Sequence, residues 1–88
     1  MRLDLFLKVS RIALRRSLAQ KLCDAGSVSV NGRPAKSSHD VKVGDELSIT
    51  SRTKRLTIRV TNVPESRSVS KAAAATLYEV IKEEKMEE

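Results

Sequence analysis

The sequence predicts one α+β domain, with two N-terminal helices on a small, strongly twisted antiparallel sheet and a helix at the C-terminus. A length of 88 residues favours a single domain. Apolar residues recur at helical spacing near both ends and alternate with polar residues in between. The sharpest local signal is Asn31-Gly32, because both central residues of a two-residue hairpin turn need a positive φ. We expect residues 1–66 to form the helix and sheet unit and residues 67–88 a helix packed on it.

Two short amphipathic helices are expected first. One spans residues 3–9 and carries Asp4 in its first turn, where a carboxylate suits the positive end of the helix dipole. Residues 10–15 connect it to a second helix over residues 17–25. Gly26 follows, and glycine readily adopts the left-handed conformation that ends a helix.

Alternating apolar and polar residues in the middle of the chain predict strands. Pro34 suits an edge strand, because proline cannot donate a hydrogen bond to a neighbouring strand. Residues 51–55 would form a basic hairpin tip between the two longest strands. The predicted strands span residues 28–30, 33–36, 46–50 and 56–63.

The C-terminal part is predicted to be helical. A polar linker over residues 64–70 leads to a helix over residues 71–85. The four consecutive alanines at 72–75 have high helix propensity, and Leu77, Tyr78 and Ile81 would supply an apolar face.

Composition restricts the function classes. The net charge of +6 favours an anionic partner, with nucleic acid preferred over a membrane surface. The chain lacks an apolar run of the roughly 18 residues that span a bilayer, and no secretory signal is visible, so a cytoplasmic location is expected. The single cysteine, Cys23, cannot form an internal disulfide. Phe6 and Tyr78 are the only aromatic residues, which leaves little material for base stacking.

Positive charge is densest in the first 22 residues, where six bases face one acid for a net +5. The backbone N–H groups at the start of the second helix favour an anion, and arginine grips phosphate through two parallel hydrogen bonds. These features predict a surface that contacts an RNA backbone, and the alternative is a solvated polar face with no partner. The candidate RNA-binding residues are Arg2, Lys8, Arg11, Arg15, Arg16 and Lys36.

A second basic cluster consists of Arg52, Lys54, Arg55 and Arg59. It either extends the phosphate-binding surface or protects an exposed strand edge from pairing with other chains. The residues alone leave these two interpretations open.

No catalytic constellation is found. Asp4 is expected to orient a neighbouring arginine and cap the first helix, because a carboxylate held ionised by arginines is a poor general acid. His39 has no second ligand at metal-binding spacing, and Cys23 is expected to be an inert buried thiol. The sequence therefore predicts a binding module without metal, cofactor or enzymatic activity.

A family resemblance rests on short segments found in order over residues 2–50. The chain resembles the RNA-binding domain of small-subunit ribosomal protein four (the S-four domain), and among its small free-standing members it is most similar to the heat-shock protein 15 family and its RqcP-type ribosome quality-control proteins. Many S-four domains have Ser or Thr where this chain has Arg15, so we expect the cap of the second helix to move to Ser17. The segments that match the S-four domain are Arg2-Leu3-Asp4, Arg16, Ala19, Gly26 to Gly32, Val41 and Val43-Gly44-Asp45. The segments that resemble the RqcP-type proteins are Phe6 to Arg11, Arg15-Arg16 and Lys82 to Lys85.

The resemblance implies the S-four fold and binding of structured RNA, mostly through shape and phosphate contacts. The implied partners are the rRNA of the large ribosomal subunit, peptidyl-tRNA and a factor that adds alanines to stalled chains. The oligomeric state is left open by the sequence, and a monomer is the default expectation. Three alternatives remain: general subunit recycling or ribosome assembly, a protein–protein adaptor using the C-terminal helix, and an RNA-modifying enzyme.

Overall fold

The predicted α+β class is confirmed by the computed structural model, which describes residues 1–65 and 69–85. Within these ranges the strands form one antiparallel sheet in the order β2-β1-β3-β4-β5. No helix of the described ranges is both long and apolar enough to cross a membrane. The elements are α1 (Leu3–Val9), α2 (Arg16–Asp24), β1 (Val28–Val30), β2 (Arg33–Pro34), β3 (Glu46–Thr50), β4 (Lys54–Val60), α3 (Lys71–Ala74) and β5 (Tyr78–Lys85).

The core lies between the N-terminal helices and one face of the sheet. Helix α1 buries Leu3, Phe6 and Leu7 completely, and strands β3 and β4 bury Leu47 and Ile58 against them. Each such side chain stabilises the fold by about 1.5–3 kcal/mol through removal of apolar surface from water. This packing fixes the N-terminal helices on the core face and leaves the other face of the sheet open.

The Asn31-Gly32 turn forms as predicted, with φ of 52° at Asn31 and 84° at Gly32. The Asn31 side chain also ties this hairpin to the next strand. Its Nδ2 donates to Asp45 Oδ1 at 3.2 Å, and its Oδ1 accepts the backbone N–H of Glu46 at 3.0 Å. One asparagine therefore shapes the turn and sets the approach of β3.

The predicted cap at Ser17 is wrong. Arg15 is the N-cap of α2, with extended backbone (φ −137°, ψ 146°) and no capping hydrogen bond from its side chain. The earlier start places Arg16 in the first turn, where its side chain reaches Asp4 of α1. Contact between the helices therefore sets the boundary instead of local capping chemistry.

The predicted helix over residues 71–85 is wrong beyond Ala74. Helix α3 has four residues and is capped by Ser70, whose Oγ accepts the backbone N–H of Ala73 at 3.1 Å. The chain then turns, and residues 78–85 pair along β4 as strand β5. Pairing satisfies backbone groups that β4 would otherwise expose, and this tertiary gain outweighs the helix propensity of a short alanine run.

Candidate nucleic-acid interface

Asp4 holds two of the predicted arginines in one cluster. Arg2 Nε donates to Asp4 Oδ1 at 3.2 Å, and its Nη2 donates to Oδ2 at 3.3 Å. Arg16 Nε lies 3.3 Å from Oδ2 as an ion pair outside hydrogen-bond alignment. The two arginines come from different helices, so the cluster also fastens α1 to α2.

The Asp4 carboxylate is fully buried yet ionised. Burial alone would raise its pKa, but the side chains of Gln20, Arg2 and Arg16 and the backbone N–H of Leu5 together hold the pKa below its ordinary value. Gln20 Nε2 donates at 3.0 Å and Leu5 N at 2.7 Å. The predicted orienting role of Asp4 is therefore confirmed in these contacts.

The two arginines remain partly open to solvent. The exposed fraction of the side chain is 49% for Arg2 and 37% for Arg16. Since Arg16 Nε is itself shielded from solvent, this exposure belongs to the rest of the side chain. Asp4 thus fixes the inner side of each guanidinium and leaves hydrogen-bond donors for an external anion.

Lys36 is brought to the start of α1 by the loop that follows β2. The backbone N–H groups of Leu3 and Asp4 donate to the carbonyls of His39 and Ser37 at 2.8 and 3.1 Å. Lys36 is exposed and lines a hollow of about 580 Å³ next to this contact. The loop that carries Lys36 therefore contacts the start of α1 through its backbone, while the hollow lined by Lys36 includes none of Arg2, Asp4 and Arg16.

Lys8 and Arg15 are exposed at the border of this cluster. Lys8 lies four residues after Asp4 and so on the same face of α1, one turn further along. Arg15 directly precedes Arg16 at the start of α2. Neither side chain forms an ion pair with any residue that the structure describes, so both charges are open to a partner.

Arg11 lies apart from the other five. Its backbone has a φ of 63°, in the left-handed region, and its Nη2 donates to the carbonyl of Val69 at 3.4 Å. The side chain lines an apolar groove of about 460 Å³ together with Leu18 and Tyr78. The structure therefore brings Arg2 and Arg16 together and borders them with Lys8 and Arg15. It carries Lys36 on the loop that contacts the start of α1, and it directs Arg11 to a different groove.

Gln20 was not predicted from the sequence. It stands four residues after Arg16 on α2, and this spacing puts both side chains on the face that meets Asp4. A polar residue four positions after Arg16 was the one indication in the sequence, but it predicts a contact with Asp4 only when α1 and α2 are known to pack together.

The second basic cluster does not protect a sheet edge, because β4 lies between β3 and β5. Lys54 Nζ lies 3.0 Å from Glu83 Oε1, and Arg59 Nη1 lies 3.0 Å from Glu79 Oε1. Strand β5 therefore neutralises part of this cluster, and the edge interpretation is wrong.

The remaining reactive groups form no site in the described ranges. No group of three or more His, Cys, Asp or Glu side chains is placed there to hold a metal ion. Cys23 is buried, and burial raises the pKa of its thiol, with the negative charges of Asp4 and Asp24 adding to the effect. The neutral thiol is thereby favoured, as expected for an inert core residue.

A family model, curated proteins and a solved structure all match this chain. The model of the S4 domain family, which is the S-four RNA-binding domain, matches residues 1–47. The chain is 54% identical to the "RQC P-site tRNA stabilizing factor" of Halalkalibacterium halodurans, covering 96% of this chain and 93% of that protein. It is 47% identical to the protein of the same name from Bacillus subtilis over the full length of both. The trimeric structure of Vibrio cholerae Heat Shock Protein 15 has a TM-score of 0.81 and 30% identity, covering 91% of this chain and 80% of that one.

Proposed function

The chain belongs to the S4 domain family, and on that premise we propose that it binds structured RNA in ribosome-associated quality control. Its task would be to steady the P-site tRNA on a large ribosomal subunit that still carries a stalled chain. The names of the relatives at 54% and 47% identity support this assignment.

The carrying observation is the attachment of Arg2 and Arg16 to one buried carboxylate. An arginine that is already fixed loses little side-chain entropy when it binds phosphate, so a preformed pair binds more tightly than two free side chains. Lys8, Arg15 and Lys36 would add further phosphate contacts around this pair. The surface is thereby suited to an RNA backbone of fixed shape.

Recognition through shape is favoured over recognition of bases. Phe6 is fully buried and Tyr78 is half-buried, so neither offers an open stacking platform. Arginine and lysine contacts to phosphate fix position on a folded RNA without reading its sequence. Both rRNA and the tRNA body present such backbones.

In more detail, the partners would be large-subunit rRNA, peptidyl-tRNA and the factor that extends stalled chains with alanine. The protein would act in the cytoplasm as a monomer that binds without catalysis. Arg2, Lys8, Arg11, Arg15, Arg16 and Lys36 remain the proposed contact residues, with Arg11 reaching RNA from its separate groove.

Sedimentation with purified large subunits tests the proposal. Subunits carrying P-site peptidyl-tRNA should retain the protein more strongly than vacant subunits. Equal retention on vacant subunits would favour general subunit recycling instead.

Two variants of helix α2 test the site. Arg16→Gln should weaken retention at least about fivefold, since a charge-assisted contact to phosphate contributes roughly 1 kcal/mol or more. Lys21→Gln removes the same charge from an exposed position of α2 outside the cluster and should stay within about twofold of wild type. Equal losses of retention in both variants would show that only net charge matters, and would contradict a specific phosphate contact at Arg16.

A further inference from the structure

We propose that the open face of the sheet carries a second RNA phosphate site, centred on Arg55. The site lies on the opposite side of the sheet from Arg2 and Arg16. It rests on the proposed RNA-binding function and extends it to a separate RNA segment.

Strand register places Arg55 on the open face. Arg55 of β4 pairs with Thr50 of β3. The neighbouring pair in the register joins Leu56 to the core residue Ile49. Because successive side chains of a strand point to opposite faces, Arg55 and Thr50 point away from the N-terminal helices. The face that no helix covers therefore presents a guanidinium.

A polar hollow of about 310 Å³ lies next to this guanidinium. Its only charged lining residue is Arg55, and the others offer hydroxyl groups or bare backbone. A water molecule occupies about 30 Å³ in the liquid, so the hollow has room for a phosphate group with part of its hydration shell. The lining residues are Gly26, Ser29, Gly32, Ser48, Thr50 and Arg55.

Arg55 differs from its neighbours on β4 in being unneutralised. Lys54 and Arg59 each have an acidic partner on β5 at 3.0 Å. Glu84, which is level with Arg55 on β5, lies 3.5 Å from Lys82 instead. The Arg55 side chain is exposed and has no ion pair or hydrogen bond to a residue within the described ranges.

The chemistry of the hollow fits phosphate. A guanidinium offers paired donors to phosphate oxygens, and serine and threonine hydroxyls are common further donors to an RNA backbone. Gly26 and Gly32 border the hollow, and a Cβ added to either would meet nothing within 4 Å, so a ligand can approach the backbone there. The lining has no large apolar side chain that would bury part of a protein partner, which favours RNA over an acidic peptide.

The test uses the full chain, with large ribosomal subunits carrying P-site tRNA as the probe and binding measured at several KCl concentrations. Arg55→Gln should weaken binding about five- to tenfold and reduce the magnitude of the salt slope by roughly 0.7–0.9, the value for one lost phosphate contact. Arg59→Gln is the matched control, because it removes the same charge from the same strand and face but from an arginine already paired with Glu79. It should stay within about twofold of wild type.

The outcomes separate this site from the main proposal. Unchanged binding of Arg55→Gln, or equal losses in Arg55→Gln and Arg59→Gln, would overturn the second site. If Arg55→Gln bound the subunits as wild type does but lost a protein that co-purifies with wild type after nuclease treatment, the second site would also be overturned, in favour of an acidic peptide as the ligand. Arg16→Gln is measured in parallel, and only its failure to weaken binding would count against the main RNA-binding proposal. Thermal unfolding of each variant excludes loss of the fold as the cause.

Discussion

Arg2 and Arg16 meet at a single buried carboxylate, that of Asp4: Arg2 donates to both of its oxygens, and Arg16 forms an ion pair with Oδ2. One of these arginines precedes α1 and the other begins α2, so the same contact closes the helix pair and orients two cations. We therefore expect both the stability of the helix pair and the proposed RNA binding to depend on one acid in an otherwise basic segment.

Replacing Asp4 by asparagine should separate charge from orientation. Asp4→Asn raises the net charge by one unit, which by itself would strengthen binding to RNA. We expect binding to weaken instead, because Arg2 and Arg16 lose the anchor that holds them. We also expect the free energy of unfolding to fall by about 1–3 kcal/mol, as charge-assisted hydrogen bonds are lost. Titration with labelled large-subunit rRNA checks the first effect and urea unfolding the second. Tighter binding by Asp4→Asn would show that net charge dominates over orientation.

Acid should remove the contribution of Asp4. Its pKa in the folded protein lies below the ordinary value, so the folded state favours the ionised carboxylate more than the unfolded chain does. The resulting stabilisation is fully present above the unfolded pKa of about 3.9 and is lost as pH falls through the folded pKa. The difference in melting temperature between wild type and Asp4→Asn should therefore be largest at neutral pH and narrow below about pH 4.

Asp40 adds to the acid sensitivity of both proteins alike. A hydrogen bond from the N-terminal ammonium and the charge of that group lower the pKa of this exposed carboxyl. Comparison with Asp4→Asn at each pH cancels this shared part. A melting difference that stays constant from pH 7 to pH 3 would contradict the role assigned to the Asp4 charge.

Local patterns predicted the N-terminal half of the fold. The helix over residues 3–9, the turn at Asn31-Gly32 and the left-handed Gly26 just beyond α2 depend on side chains within a few residues, and the structure has each of them. The arginines that meet at Asp4 were also predicted as a cluster, because their charges crowd a short stretch of sequence. The hydrogen bond from Gln20 to Asp4 could not be predicted in this way, because it forms only where α1 and α2 pack together.

The C-terminal half depended on information that a local pattern does not contain. Four alanines favour a helix wherever they stand, but α3 ends at Ala74 because the following residues pair with β4. The same pairing changed the interpretation of Lys54 and Arg59, whose acidic partners come from strand β5. Long-range strand pairing thus decided both the element and the charges available on it.

Leu77 should be the main anchor of the C-terminal strand. Its side chain is 2% exposed, and its carbonyl accepts the backbone N–H groups of Thr61 at 2.9 Å and Asn62 at 3.2 Å. Leu77→Ala should lower the free energy of unfolding by about 2–4 kcal/mol through loss of buried surface and the cavity left behind. Val80→Ala, at a position that is 55% exposed, should cost less than about 1 kcal/mol. Equal costs in urea unfolding would show that β5 is not held through Leu77.

Salt should weaken RNA binding steeply. If about four to six phosphates are contacted, log affinity should fall against log salt with a slope of roughly −3 to −5. Fluorescence anisotropy with labelled large-subunit rRNA at KCl concentrations from low to moderate measures this slope. A slope near zero would contradict a phosphate-binding surface and favour a protein partner.

We expect Arg11 to strengthen RNA binding while its backbone conformation lowers the stability of the fold slightly. Its φ of 63° places an L-residue in the left-handed region, which costs roughly 1–2 kcal/mol relative to a right-handed conformation. Arg11→Gly relieves this strain but adds about 0.5–1 kcal/mol of chain entropy on folding, so the free energy of unfolding should stay within about 1 kcal/mol of wild type. Binding to large-subunit rRNA should nevertheless weaken, because a guanidinium is lost. Arg11→Lys keeps both the charge and the side chain at the strained position and should bind more tightly than Arg11→Gly. If Arg11→Gly binds as well as wild type, the contact of Arg11 with Val69 is structural only, and Arg11 is not part of the RNA-binding surface.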